Sequence, residues 1–263
     1  MSLMLYTQLY RGPIGVSLWP NWNFEEIFKL QNVTAETSNS EVTIADPTRI
    51  GLPALDTIKS TTALTLTGEA VSFSPKAAAI ALYGNIEKVP AGTVADEAHD
   101  AYVNHSIMLE HMPLEVSSVK NATGDVTYER NKDYAVTASG IHVMLGGDLA
   151  AHIDAAPDKK LPIKVSYSYP TVDVVKPFTA GQRFYRVLFS QVNEGGNGEK
   201  RRIICYYCKI ALNGGIPLNQ GAEFGTIPVS ISIMSDPQIV DVDESAMWRW
   251  EIENKDAELA GGV

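Results

Sequence analysis

Two cysteines, Cys205 and Cys208, have the C-x-x-C spacing that occurs in redox-active pairs and zinc sites. They lie in a stretch of apolar and aromatic residues typical of a strand, in which positions three apart face opposite sides of a sheet. The chain has no second pair to complete a tetrahedral zinc site. We therefore interpret both cysteines as small apolar strand residues.

Three of the five histidines, His99, His105 and His111, recur every six residues among acidic side chains. Even spacing would place them on one face of a strand, as a metal site requires. Asn104 and Pro113 interrupt the stretch, however, and no recognised ligand spacing is present. The sequence favours solvated histidines in a connecting segment.

Other catalytic patterns are missing. The chain contains neither G-x-S-x-G nor H-E-x-x-H, and its glycine-rich run at 195–198 lacks the Lys-Ser/Thr of a phosphate loop. We expect no catalytic residue, no cofactor, no resident metal and no enzymatic activity.

Composition narrows the class of protein further. The 263 residues are 45% hydrophobic and 20% charged, which is globular composition, and no apolar run reaches the length of a membrane span. We also recognise no secretory leader at the start. The net charge is −10, of which −6 comes from eight acidic and two basic residues between Asp236 and Val263. Direct DNA recognition would require the opposite sign.

Strand patterns dominate the chain. Thr and Leu alternate in Thr61–Phe73, and Ile and Val alternate with Ser in Ile227–Met234, as in half-buried strands. Ser74, Pro75 and Gly84 mark the ends of one short helix at about 75–83. Ser245–Glu258 is a second possible helix.

Other segments predict turns and connections. Gln182–Val192 and Lys200–Leu212 flank a glycine-rich turn and predict a hairpin. Residues 85–100 read as a connector, and 101–170 contain short strands separated by glycines. About twenty polar residues after Thr37 predict a long loop, for which docking on a neighbouring subunit would account.

The order of these segments resembles phage major tail tube proteins of long-tailed phages with non-contractile tails. Thr61–Gly84 is similar to that family's strand-then-helix signature. Phe184–Pro237 is similar to its C-terminal half, with an aromatic strand, a glycine-rich hairpin and a final alternating strand ending in Asp-Pro. Tyr128–Gly140 resembles a small β module that is common in phage structural proteins.

The resemblance implies a mostly β fold, a tail-tube β-sandwich or barrel whose sheets join between subunits into a continuous tube barrel. Residues 1–99 and 177–263 would form the tube core domain, and 100–176 an inserted or outward-facing β module. Subunits would form sixfold rings that stack around a channel in the virion tail, after assembly in the host cytoplasm. The partners would be further copies, the tape-measure protein, the tail terminator and tail tip proteins. DNA would cross the lumen without specific binding, and no membrane is involved.

The resemblance also assigns candidate residues to surfaces. The candidate subunit or ring interface consists of Thr37, Glu41, Asp46, Arg49, Asp56, Lys59, Lys200, Arg201 and Arg202. The candidate lumen-facing residues are Thr65, Thr67 and Glu69. The basic run Lys200–Arg202 would pair with acidic groups of the same or a neighbouring subunit. The acidic region from Asp236 to Val263 would either face the lumen or the solvent, or pair with such a basic patch on the next subunit.

Two other classes of protein remain open. The chain could be another virion β-protein, such as a tail terminator or a capsid decoration protein. A β-sandwich enzyme or carbohydrate-binding module is the third hypothesis, since Trp19, Trp22, Trp248 and Trp250 could stack on sugars.

Overall fold

The fold is described by a computed structural model, which covers residues 8–50, 53–195, 198–219 and 225–254. Within these ranges the elements in chain order are β1 (Tyr10–Arg11), β2 (Ile14–Leu18), β3 (Phe28–Ala45), β4 (Ala54–Phe73), α1 (Pro75–Ala81), β5 (Asn85–Val89), β6 (Gly92–Ala101), β7 (Ser106–Met108), β8 (Glu115–Asn121), β9 (Thr127–Tyr128), β10 (Tyr134–Thr137), β11 (Gly140–Val143), α2 (Asp148–Ala155), β12 (Leu161–Tyr169), β13 (Val172–Lys176), β14 (Tyr185–Asn193), β15 (Lys200–Leu212), β16 (Ile227–Met234) and β17 (Trp248–Ile252). The prediction of a mostly β chain is confirmed.

The chain forms two compact units, with unit 1 made of 1–86 and 175–263 and unit 2 of 87–174. The sequence had placed these boundaries at 99/100 and 176/177. The segment read as a connector contains β6, which pairs along its length with β12 and so belongs to unit 2.

Unit 1 is built on one eight-stranded antiparallel sheet in the order β1–β14–β15–β16–β4–β3, with β2 also on β14 and β17 also on β15. In the described ranges the sheets are sandwich-like and do not close into a barrel. The core gathers apolar residues from strands throughout this sheet, among them Val16, Phe28, Leu64, Leu66, Val187, Phe189, Ile210 and Ile231. The predicted hairpin is confirmed as β14 and β15; residues 196 and 197 of its turn lie outside the described ranges.

The predicted first helix is confirmed as α1. The Ser74 hydroxyl accepts a hydrogen bond from the Ala77 amide at 3.1 Å, and Pro75 occupies the first turn. The same hydroxyl donates to the Ile27 carbonyl at 2.8 Å, which fixes the start of the helix against the strand that begins at Phe28.

The expectation of a long loop after Thr37 is wrong. These residues continue β3 and β4, which pair antiparallel from Phe28 opposite Phe73 to Ala45 opposite Ala54. Polar residues predominate in this segment and both of its faces are exposed, so it lacks the long apolar alternation that marks a strand lying on a core. Backbone pairing between β3 and β4 holds this segment in a regular structure instead.

The second possible helix, Ser245–Glu258, is also wrong where the structure describes it. Trp248–Ile252 forms β17, which pairs with β15 from Cys205 to Arg201. The remainder of that segment, from residue 255, lies outside the described ranges.

Unit 2 has its own core beneath a four-stranded sheet, β6–β12–β8–β9, and a three-stranded sheet, β10–β11–β7. It contains a helix that the sequence did not predict, α2, which buries Leu149, Ala150 and Ile153. The residue before α2 is Gly147, which offers no capping side chain. The carboxylate of the buried Asp133 takes over this role, accepting from the Asp148 amide at 2.6 Å.

No helix among the described residues is long and apolar enough to span a membrane.

Candidate functional site

The outward face of β4 carries the three residues that the sequence assigned to a lumen. Leu64 and Leu66 point into the core, whereas Thr65, Thr67 and Glu69 alternate with them and are half-buried on the opposite face. The sequence therefore identified the inward and outward faces of this strand correctly.

Neighbouring strands extend this polar surface. Thr65 lies opposite Ser232 of β16, and Thr67 lies opposite Ser230. On the other side of β4, the hydroxyl of Thr67 is 2.9 Å from that of Thr34 on β3. We call the resulting surface the hydroxyl face; it comprises Thr34, Glu36, Thr65, Thr67, Glu69, Ser230 and Ser232.

The carboxylate of Glu69 is held by amide donors at one end of the hydroxyl face. The Gln31 side chain donates to it at 3.1 Å and that of Asn32 at 3.5 Å. Hydroxyls and neutral amides thus dominate the surface, with two carboxylates, Glu36 and Glu69, as its charges. On the next strand, Lys209 of β15 lies opposite Ser232 and adds a cation at the edge of this face.

The paired ends of β3 and β4 project beyond the core as a two-stranded arm, which we define as Ser38–Ala45 and Ala54–Ala63. Almost every residue of the arm is exposed. On one face Val42 lies opposite Ile58, with exposed fractions of 62% and 61%, and Ile44 follows on the same face. An isolated ribbon with an apolar face is only marginally stable in water, so this face is available to a partner.

The other face of the arm is mostly polar and internally paired, with the exposed Leu55 also on it. Glu41 and Lys59 form an ion pair at 3.3 Å, and the hydroxyls of Thr43 and Thr57 are 3.1 Å apart. Two candidate interface residues, Glu41 and Lys59, are thus satisfied within the chain. This pairing leaves the apolar face as the unsatisfied side of the arm.

The remaining interface candidates from the long segment lie along the arm and at its base and tip. Thr37 faces Leu64 at the base, and Asp56 lies opposite Ile44. At the tip, Asp46 accepts from the Thr48 hydroxyl at 2.6 Å and forms an ion pair with Arg49 at 3.4 Å. The hydroxyl and amide of Thr48 lower the pKa of Asp46. The structure thus distributes these residues over the whole arm.

Two residues of the basic run at the start of β15 contact acidic residues in and just after β17 of the same chain. Arg202 donates to Glu251 at 2.6 Å, and the Lys200 amide donates to Glu253 at 2.9 Å. Of the two pairings that the sequence left open, the structure contains the one within a single chain. The acidic residues beyond 254 lie outside the described ranges.

Arg201 sits in an aromatic environment. Its guanidinium lies over the Tyr10 ring at 3.6 Å and 5.4 Å from the Trp250 ring, and it donates to Gln191 at 2.6 and 2.9 Å. Burial lowers the pKa of Arg201. Trp22 is similarly covered, by Arg186 at 4.0 Å. Two of the four tryptophans considered for sugar stacking, Trp22 and Trp250, therefore lie near guanidinium groups.

The prediction that Cys205 and Cys208 face opposite sides of the sheet is wrong. Cys208 lies opposite Tyr185 and Cys205 opposite Val187, so three residue steps on β15 match two on β14. This β-bulge turns both thiols to the buried side, where they are hydrogen-bonded to each other. Burial raises the pKa of the Cys208 thiol well above its usual value, which makes it unreactive.

The histidines of unit 2 are not solvated connector residues throughout. His99 lies on β6, 2.7 Å from a carboxylate oxygen of Glu97, whose other oxygen accepts from the Tyr167 hydroxyl at 2.6 Å. His111 stacks on Tyr169 with ring centroids 4.1 Å apart. Within the described ranges, no group of three or more His, Cys, Asp or Glu is arranged to hold a metal ion.

Sequence reasoning missed the arm as a structured element and the buried ion pair of Asp236 with Arg186. An extended polar β-ribbon has no periodic apolar signal, but the matching run of Thr and Ser on both sides of Asp46-Pro47 was a usable indication.

The family described as "Protein of unknown function UCP028589" matches residues 10–251. Since this match covers most of the sequence, the chain belongs to that family. The comparison with curated proteins found no match.

Proposed function

We propose that the chain is a structural, non-enzymatic virion protein, the major tail tube subunit of a long, non-contractile phage tail. In this proposal subunits form sixfold rings that stack around a channel. The channel holds the tape-measure protein and later conducts DNA, and the tail terminator and tail tip proteins close its ends.

The single observation that carries the proposal is the arm. Its apolar face, with Val42 opposite Ile58, has no core beneath it in the described part of the chain. A second copy that covers this face would bury both side chains. Self-association is therefore a direct way to remove the apolar surface from water.

The free edge of the same strand supports a sheet that continues between subunits. Among the described strands β3 pairs only with β4, along 18 residues of edge. A long unpaired edge is a template for another strand, and closure of a ring of subunits removes it. In the proposed assembly the sheets join laterally into one tube barrel.

The hydroxyl face supports a channel through which DNA slides. Its charged groups are the carboxylates of Glu36 and Glu69, with Lys209 at its edge opposite Ser232. A lumen of this composition, in a chain with net charge −10, repels phosphates and does not retain them. Thr65, Thr67 and Glu69 are the residues proposed to line it.

Electron microscopy of the purified full chain tests the proposal. We expect stacked sixfold rings with an open lumen, alone or after addition of the other tail components. A protein that stays monomeric with all tail components present would overturn the proposal. If each particle contained only a single ring of the protein, the protein would instead be a tail terminator. If the protein were found on the capsid, it would be a decoration protein.

A further inference from the structure

Residues 236–246 form a closed surface loop, which we call the acidic loop. The Asp236 amide donates to the Ala246 carbonyl at 2.8 Å and so joins the two ends. The Asp236 carboxylate is buried and forms an ion pair with Arg186 at 3.2 Å. A loop with a base fixed in this way presents its outer residues in a defined arrangement.

The outer residues combine apolar and acidic side chains. Val240 and Val242 have exposed fractions of 86% and 97%, the largest of any valine in the described ranges. Asp241, Asp243 and Glu244 accompany them, and the Asp243 amide donates to the Asp241 carboxylate at 3.0 Å. Two exposed valines among three carboxylates are suited to an apolar recess with a cationic rim.

Unit 1 contains such a recess, which we call the α1 groove. It consists of two adjoining cavities of about 450 and 210 Å³ that share Leu18, Lys76, Ile80 and Tyr185 in their walls. Ile80 on α1 and Leu18 on β2 supply apolar surface. The groove is open to solvent and contains room for aliphatic side chains.

Two cationic side chains, Lys76 and Arg183, lie at the edge of this groove. Lys76 already pairs with Glu25, whose carboxylate also lines the smaller cavity. Arg183 is exposed and lines the larger cavity, and no carboxylate of the described residues forms an ion pair with it. Arg183 is therefore the group available to an incoming carboxylate.

The loop and the groove lie on opposite faces of one strand. Tyr185 and Arg186 are consecutive in β14, so their side chains point to opposite sides. Tyr185 lines the groove, and Arg186 holds the base of the loop. This arrangement favours contact between successive copies, front to back, as in a heterologous interface.

We propose that the acidic loop of one copy docks in the α1 groove of a second copy. Val240 and Val242 enter between α1 and β2, and the carboxylates of Asp241 and Asp243 pair with Arg183. The inference rests on the self-association proposed above, and it names a contact separate from the arm.

Charge reversal and rescue test this contact in the full chain. We expect Arg183→Glu, or Asp241→Arg with Asp243→Arg, to raise the protein concentration needed for assembly about tenfold in sedimentation experiments. All three substitutions together should restore assembly, because the charges are exchanged. Arg130→Glu, a matched change at an exposed site of unit 2, should have no effect. Unchanged assembly with Arg183→Glu, or failure of the triple variant to improve on the single one, would overturn the contact.

A cross-linking experiment separates this inference from the tail tube proposal. Val242→Cys and Lys76→Cys are prepared as separate proteins and mixed under mild oxidation. We expect a disulfide-linked dimer that combines both variants, and the buried Cys205 and Cys208 should stay unmodified. A linked dimer without tubes would support the contact and count against the tube, whereas tubes without the mixed dimer would overturn the contact.

Discussion

Arg186 and Asp236 form a buried ion pair that joins two distant parts of unit 1. The Arg186 Nη2 and Asp236 Oδ2 atoms are 3.2 Å apart, and the side chains are 4% and 0% exposed. The indole of Trp19 donates to both carboxylate oxygens, at 3.2 and 3.3 Å. Asp236, which the sequence placed in an acidic surface region, is thus a core residue.

Asp236→Ala is expected to destabilise the protein by about 3 kcal/mol or more, because it leaves the Arg186 guanidinium buried without its counter-charge. Urea denaturation measures the change in the free energy of unfolding. Asp241→Ala, in the exposed part of the same loop, is the control and should change stability by less than about 0.5 kcal/mol. Equal stability of the two variants would contradict the structural role of the pair.

Replacing two apolar residues that face each other on the arm, Val42→Ser with Ile58→Ser, is expected to prevent assembly and leave the subunit folded. Both side chains are exposed in the single chain, so their loss removes little buried surface there. Light scattering reports assembly, and circular dichroism reports the fold.

The matched control for the arm is Glu41→Gln with Lys59→Gln, which removes the ion pair on the opposite face. We expect it to assemble like the unchanged protein, because an exposed ion pair contributes little. Normal assembly of the serine variant would show that the apolar face is not an interface.

The two thiols are expected to resist alkylation in the native protein. Burial raises the pKa of Cys208, and only a thiolate reacts readily. Mass spectrometry after iodoacetamide treatment should show labelling of Cys205 and Cys208 only at urea concentrations that unfold unit 1. A Ser72→Cys variant, with its thiol on an exposed strand position, provides the positive control. Rapid labelling of Cys205 and Cys208 in the native protein would contradict the β-bulge that turns both thiols to the buried side.

The Tyr167–Glu97 hydrogen bond predicts a loss of stability at alkaline pH. Burial, and then this hydrogen bond, raise the pKa of Tyr167 to about 12. Because the folded pKa exceeds the unfolded one of about 10, the stabilisation is complete below pH 10 and is lost as the pH rises towards 12. Burial also raises the pKa of several other tyrosines, so tyrosinate absorbance should show a late-titrating fraction that Tyr167→Phe reduces and that Tyr102→Phe, at an exposed site, leaves unchanged.

The same hydrogen bond also predicts a loss of stability at acid pH. Burial alone would raise the pKa of Glu97, but hydrogen bonds from Tyr167, His99 and the Glu110 amide lower it below its usual value. Its stabilisation is therefore complete above the unfolded pKa of about 4.3 and is lost as the pH falls through the folded pKa. Urea titrations of Glu97→Gln should lack this acid-dependent part, and an unchanged pH profile would contradict it.

Local patterns predicted the elements that lie on a core. Alternation in Thr61–Phe73 and in Ile227–Met234 identified two strands and their buried faces, and Ser74 with Pro75 identified α1. In these segments burial and capping act within a few residues, so the sequence itself contains the signal.

The remaining features depend on residues far apart in the chain. The α2 cap comes from Asp133, outside the helix, and the bulge that brings the cysteines together is set by pairing with β14. In the arm both faces of the strands are exposed, so buried and exposed residues do not alternate along its sequence. For the candidate surfaces, the sequence identified three residues of the hydroxyl face, Thr65, Thr67 and Glu69, whereas the rest of that face, the apolar face of the arm and the acidic loop required the structure.

The division of unit 1 into two stretches, 1–86 and 175–263, determines when a growing chain can complete its sheet. β2 pairs with β14, and β4 pairs with β16, so neither of these strand pairings can form until the last third of the chain has been synthesised. Unit 2 is contiguous and can fold while the ribosome is still adding residues. Chains truncated before this last third would therefore lack a finished sheet.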